Sequence, residues 1–132
     1  MTDLAAICDR CHREVPDGAG YVCVRYEDIH RCWRETREWK EAHPGDVHDL
    51  GELMSMPVDI TWRMYHARCD PWPDKDAYQI DVEQIRTWQQ LAGWTSHLMA
   101  KNWVADSDWD ELLHELADGK GTRIVAIKAR AA

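Results

Sequence analysis

Cys8 and Cys11, in the stretch AICDRCHREV, are thiols separated by two residues. Such a pair can be half of a metal site, a redox couple or two unrelated buried side chains. A redox couple sits between a strand and a helix. Here the chain goes on to a turn, Asp17-Gly18-Ala19-Gly20, and then to a strand-like run from Tyr21 to Tyr26. A second pair with the same gap, His66 and Cys69, lies in WRMYHARC. Three thiolates and one imidazole are the donor set of a closed tetrahedral zinc site. Cys8, Cys11, His66 and Cys69 are therefore expected to hold one structural zinc ion. A full set of protein ligands leaves no position for water, so the chain is read as non-catalytic.

The elements that must position these ligands follow from periodicity. Val58, Ile60, Trp62 and Met64 alternate with Asp59, Thr61, Arg63 and Tyr65, as in a half-buried strand. The 54 residues between Cys11 and His66 leave room for an inserted helix at about residues 27–43. Ile29, Cys32, Trp33, Thr36 and Lys40 recur there at helical spacing. Glu27 with Arg31, Arg34 with Glu38, and Arg37 with Glu41 are set four apart, as on a solvated helix face. Pro44-Gly45 ends the helix. Residues 46–57 read as a loop, whose Met54 and Met56 either lie exposed or plug the core.

The order is knuckle, strand, insertion, strand, His-x-x-Cys turn. With CDRCHREVPDGAGYV and the later YHARC, it resembles a treble-clef zinc finger over roughly residues 7–70. It is similar to the zinc-binding halves of LIM domains and of poly(ADP-ribose)-polymerase-type fingers. The resemblance implies a zinc fold with Cys8, Cys11, His66 and Cys69 as ligands, and says little about function. Cys23 and Cys32 have no ligand-spaced partner and read as core thiols. His12, beside Cys11, is the nearest competing ligand.

Beyond Cys69 the run DPWPDKDAY reads as a rigid connector. Asp81 with Gln84 suggests a capping box for a helix bearing Val82, Ile85, Leu91 and Ala92 and ending at Gly93. WTSHLMAKNW reads as a second short helix. Ser107 is expected to cap a third, from Asp108 to Ala117, with Trp109, Leu112, Leu113 and Leu116 as its apolar stripe. RIVAIK reads as a closing strand. The expected fold is thus α+β, one domain over residues 1–132. It comprises a treble-clef-like zinc module with an inserted helix (1–70), then a helical segment and a C-terminal strand (71–132).

The chain carries 16 Lys and Arg against 24 Asp and Glu, a net charge of -8. That balance makes nucleic acid an unexpected partner, because phosphates must be neutralised by Lys and Arg. No apolar run is long enough to span a membrane. The start MTDLAAICDR lacks a basic segment followed by an apolar one, which points to the cytoplasm, where thiols stay reduced. With 8 Trp, no Phe and more Arg than Lys, the composition is that of a high-GC genome, such as an actinobacterium or one of its bacteriophages. Trp and Arg also suit interface anchors, and Trp72 in a Pro-Trp-Pro turn is the candidate partner-binding residue. The expected function is protein–protein interaction, for instance as a phage-encoded modifier of a host protein. The alternative is a nucleic-acid accessory factor using Arg10, Arg13, Arg25 and Arg68 as phosphate contacts.

Overall fold

The computed structural model describes residues 2–56, 60–72 and 76–127. Among these residues the fold is α+β, as expected, with four α-helices and two small antiparallel sheets. The strands are β1 (Leu4–Ala6), β2 (Gly20–Arg25), β3 (Arg63–His66), β4 (Ala77–Asp81) and β5 (Ile124–Ala126). The helices are α1 (Tyr26–Ala42), α2 (Leu50–Met54), α3 (Trp88–Leu98) and α4 (Trp109–Ala117). None is long and apolar enough to cross a membrane.

The larger sheet has the order β3-β2-β4, and its register gives it two unlike faces. Val22 lies opposite Met64 and Ile80, and all three are fully buried. One residue along, the pairs point the other way. Tyr21 lies opposite Tyr65, Cys23 opposite Arg63, and Arg25 opposite Ala77. The inner face meets an aromatic cluster. The Trp62 ring packs edge-on against Trp109 at 4.9 Å and tilted against Trp103 at 5.7 Å. Trp62 Nε1–H donates to Ser107 Oγ at 3.1 Å, so the indole is buried with its polar atom satisfied. Trp39, Trp62, Trp103 and Trp109 are all buried, and much of the tryptophan read as interface material is core.

The inserted helix forms where expected, but its buried stripe is Ile29, Cys32 and Trp39. Trp33 sits one residue off that stripe and is exposed. Arg31 pairs with Asp28 at 2.9 Å, one turn back, and not with Glu27. The expected loop at 46–57 contains α2, whose Glu52 N–H is capped by the Asp49 carboxylate at 2.8 Å. Met54 and Met56 are exposed. In the expected strand before His66, Ile60, Trp62 and Met64 are buried as the alternation requires; Val58 and Asp59 lie outside the described residues. Tyr65 is buried as well, because Trp72 and Arg25 share its side of the sheet.

The second half differs more. Ala77–Asp81 is a strand, held by pairing with β2, where a connector and N-cap were expected. Asp81 makes no side-chain cap bond. The capping box is instead Thr87 with Gln90, and α3 runs unbroken through Gly93 to Leu98. The two expected helices are therefore one. α4 and its buried Trp109, Leu112 and Leu116 match expectation, although Asp108 occupies the N-cap position and the hydroxyl of Ser107 accepts from the first helical N–H, Trp109, at a long 3.4 Å. The closing strand β5 pairs with β1, which was not foreseen. Leu4-Ala5-Ala6 is too short and too uniform to show a period.

Candidate metal centre

Cys8 and Cys11 stand at the tip of a small hairpin closed by the Ile7–Glu14 bridge. Inside it Cys8 N–H donates to Arg13 O, and His12 N–H to Cys8 O, each at 2.9 Å. His12 takes φ +61°, the left-handed turn that reverses the chain after Cys11. Asp9 fastens this knuckle to β3 twice. Its N–H donates to Met64 O, and its carboxylate accepts from Met64 N–H, both at 2.8 Å. Buried Arg86 fixes the departing strand through Val15 O at 2.7 Å and Asp17 at 2.6 Å.

His66 ends β3, and Cys69 follows in the 3-10 turn Ala67–Cys69. Gly20 makes this placement possible. It lies opposite His66, and a Cβ there would stand 2.0 Å from Tyr65 O. The four donor atoms of Cys8, Cys11, His66 and Cys69 consequently lie within 4.8 Å of one another. Cys11 Sγ is 3.4 Å and Cys69 Sγ 3.9 Å from His66 Nδ1. Ligands of a tetrahedral ion at ~2.3 Å (sulfur) and ~2.0 Å (nitrogen) stand roughly 3.5–3.8 Å apart. The cluster is of a kind and size that could hold a metal ion.

Its electrostatics fit the same use. His66 Nε2–H donates to Glu14 O at 3.0 Å, which leaves the Nδ1 lone pair facing the sulfurs. Burial pushes the Cys8 thiol up, but backbone hydrogen bonds from Cys11, His66 and Arg10 outweigh it and bring it down to about 6. Cys69 moves the other way, raised by burial and then by its neighbours Cys8 and Cys11. Thiolates gathered this closely repel one another, and a divalent cation relieves that repulsion.

His12 is exposed and outside the cluster, while Cys23 and Cys32 are buried in the hydrophobic core. Trp72 is 48% exposed. Its N–H donates to Asp70 Oδ1 at 2.8 Å, and the Arg25 guanidinium lies 4.3 Å from its ring centroid. Asp70 also accepts from the Tyr21 hydroxyl, which burial and that carboxylate raise well above the usual tyrosine range. Asp70, Gly20, Arg86 and the Glu14 carbonyl support the centre but were not singled out as supports from sequence. The sequence hint for Gly20 was its place at the end of the DGAG turn; the Glu14 carbonyl and Arg86 had none. No family model matches this chain, and neither a curated protein nor a solved structure matches it significantly.

Proposed function

We propose that the chain binds one zinc ion through Cys8, Cys11, His66 and Cys69, in a treble-clef-like module, and that this ion is structural. The observation that carries this reading is the convergence of three sulfurs and one bare imidazole nitrogen within 4.8 Å. Three sulfurs favour zinc over hard cations such as magnesium or calcium, which take oxygen donors. The order of knuckle, paired strands β2 and β3, and a turn bearing the second ligand pair supports the treble-clef assignment. A complete donor set supports a structural and not a catalytic ion.

On this reading the chain acts without catalysis, through contact with another protein, and Trp72 is part of the contact surface. An exposed indole held by its own backbone bond and a stacked guanidinium suits an interface anchor. The test has two parts. Metal analysis of the purified chain should find one zinc, lost in Cys8→Ser and retained in Cys23→Ala and Cys32→Ser. A metal-free chain whose melting is unaffected by a chelator rules out the zinc reading. Capture from lysate should then recover a protein that Trp72→Ala fails to hold; equal recovery by both forms removes Trp72 from the contact.

A further inference from the structure

On the outer face of the larger sheet three arginines converge on one cleft of an otherwise acidic chain. The register places Arg63 of β3 beside Cys23 of β2, on the same face as Arg25. The chain then turns into α1, which adds Arg31 one turn on. These three side chains, Thr61, Tyr65 and Trp72 line a cavity of about 290 Å³ in which Asp28 is the one carboxylate. A second cavity of about 260 Å³ shares Asp28, Arg31, Thr61 and Arg63, and adds Glu35. Together they reach the lower end of the range for small-molecule sites.

The arginines are held but not fully used. Arg25 is paired with Glu27 at 2.5 Å and only loosely with Asp28 at 3.9 Å, and Asp28 holds Arg31 at 2.9 Å. Arg63 is exposed and makes no ion pair among the described residues. Arg25 Nε is buried without an acceptor. Guanidinium forks select oxyanions, and phosphate takes more than one of them. The cleft also carries a fixed, half-exposed indole. Trp72 is pinned through Asp70, itself bound by the Tyr21 hydroxyl; the Arg25 guanidinium lies 4.3 Å from its ring centroid, yet the residue stays 48% exposed, which leaves ring surface for a base to stack on.

We propose that this cleft binds a mononucleotide, with its phosphate held by Arg31 and Arg63 and its base against Trp72. The proposal uses Trp72, as the protein contact does, but it requires no protein partner and places no ligand atom on the metal. The test is calorimetric titration of the full metal-loaded chain with adenosine monophosphate, adenosine and a short single-stranded DNA. The monophosphate should bind saturably. Adenosine should bind about tenfold more weakly or worse, because the charge-assisted bonds are lost. Arg63→Glu and Trp72→Ala should each weaken the monophosphate by about tenfold or more. Arg63 is exposed, so the variant should keep its melt and metal content; Arg63→Gln serves if the charge reversal disturbs folding. Failure of the monophosphate to saturate overturns the proposal, as does an affinity unchanged in both variants. Single-stranded DNA binding more than about tenfold tighter than the mononucleotide overturns it in favour of a polymer.

Discussion

His66 Nε2–H donates to the backbone carbonyl of Glu14 at 3.0 Å, and this bond fixes which ring nitrogen faces the thiols. Nitrogen NMR of the metal-loaded chain should therefore show a protonated Nε2 and a metal-bound Nδ1. The Nε2 proton should exchange slowly, since the ring is buried. A metal-bound Nε2 would contradict the assignment. Acid should release the ion, because protons compete for thiolates and imidazole alike. Zinc-finger peptides gain roughly 10 kcal/mol or more from such an ion, so its removal should lower the melting temperature markedly.

Two glycines should respond oppositely to alanine. At Gly20 a Cβ would meet Tyr65 O at 2.0 Å and His66 Cα at 2.9 Å, both backbone. Gly20→Ala must separate β2 from β3 beside a ligand, so it should cost on the order of 3 kcal/mol or more and weaken metal retention. At Gly93, inside α3, a Cβ meets nothing within 4 Å. Gly93→Ala should stabilise by about 0.5–1 kcal/mol through helix propensity. Denaturant unfolding of both variants checks the pair.

Arg123 joins three parts of the chain. It donates to Asp108 at 2.6 Å, to Trp62 O at 3.2 Å and to Glu115 at 3.4 Å. Both Arg123 and Asp108 are almost wholly buried at the side chain, 10% and 11% exposed. Arg123→Met leaves the Asp108 charge buried without its partner and should cost about 3–5 kcal/mol. Adding Asp108→Asn should recover part of that loss, and a double-mutant cycle measures the coupling.

Stability should fall in alkali. Tyr21, Tyr65 and Tyr78 are each raised above the ordinary tyrosine value, first by burial; Asp70 adds to Tyr21 and Tyr26 to Tyr78, and at Tyr65 the opposing pull of Arg63 does not reverse the shift. Below about pH 10 both folded and unfolded chains keep these protons, and the contribution is fully present. As pH rises further the unfolded chain ionises first, so stability is lost progressively. Phenolate absorbance during an alkaline titration should lag in the folded state for these three residues.

The Cys8, Cys11, His66 and Cys69 cluster was legible as a candidate ligand set because each pair is local: two residues of spacing and the residue types suffice. The inserted helix and α4 were legible for a similar reason, since each carries its own apolar stripe. β4 was not. Its run AYQID follows Pro and charged residues and has weak alternation, and it becomes a strand because β2 offers it a partner. β1 is a strand through its pairing with β5, a partner more than a hundred residues away that no local pattern announces. The start of α3 was misplaced because Asp81 and Gln84 mimic a capping box that Thr87 and Gln90 actually form. Sequence spacing also gave no sign that Arg25, Arg31, Arg63 and Trp72 share a cleft, because it takes the β2–β3 register, the turn into α1 and the segment after Cys69 to bring them together.

The pairing of β1 with β5 bears on any attempt to isolate the metal knuckle as a minimal peptide. The strand leading into Cys8 is seated on Ile124–Ala126, and Arg86 ties the exit from Cys11 to Asp17 and Val15. A fragment cut after Asp70 would keep all four ligands yet lose β4, Arg86 and β5. Its β2 edge, with Val22 and Val24, would face water. Grafting or miniaturising this centre therefore calls for the chain through at least Ala126, or for a redesigned surface where those strands now lie.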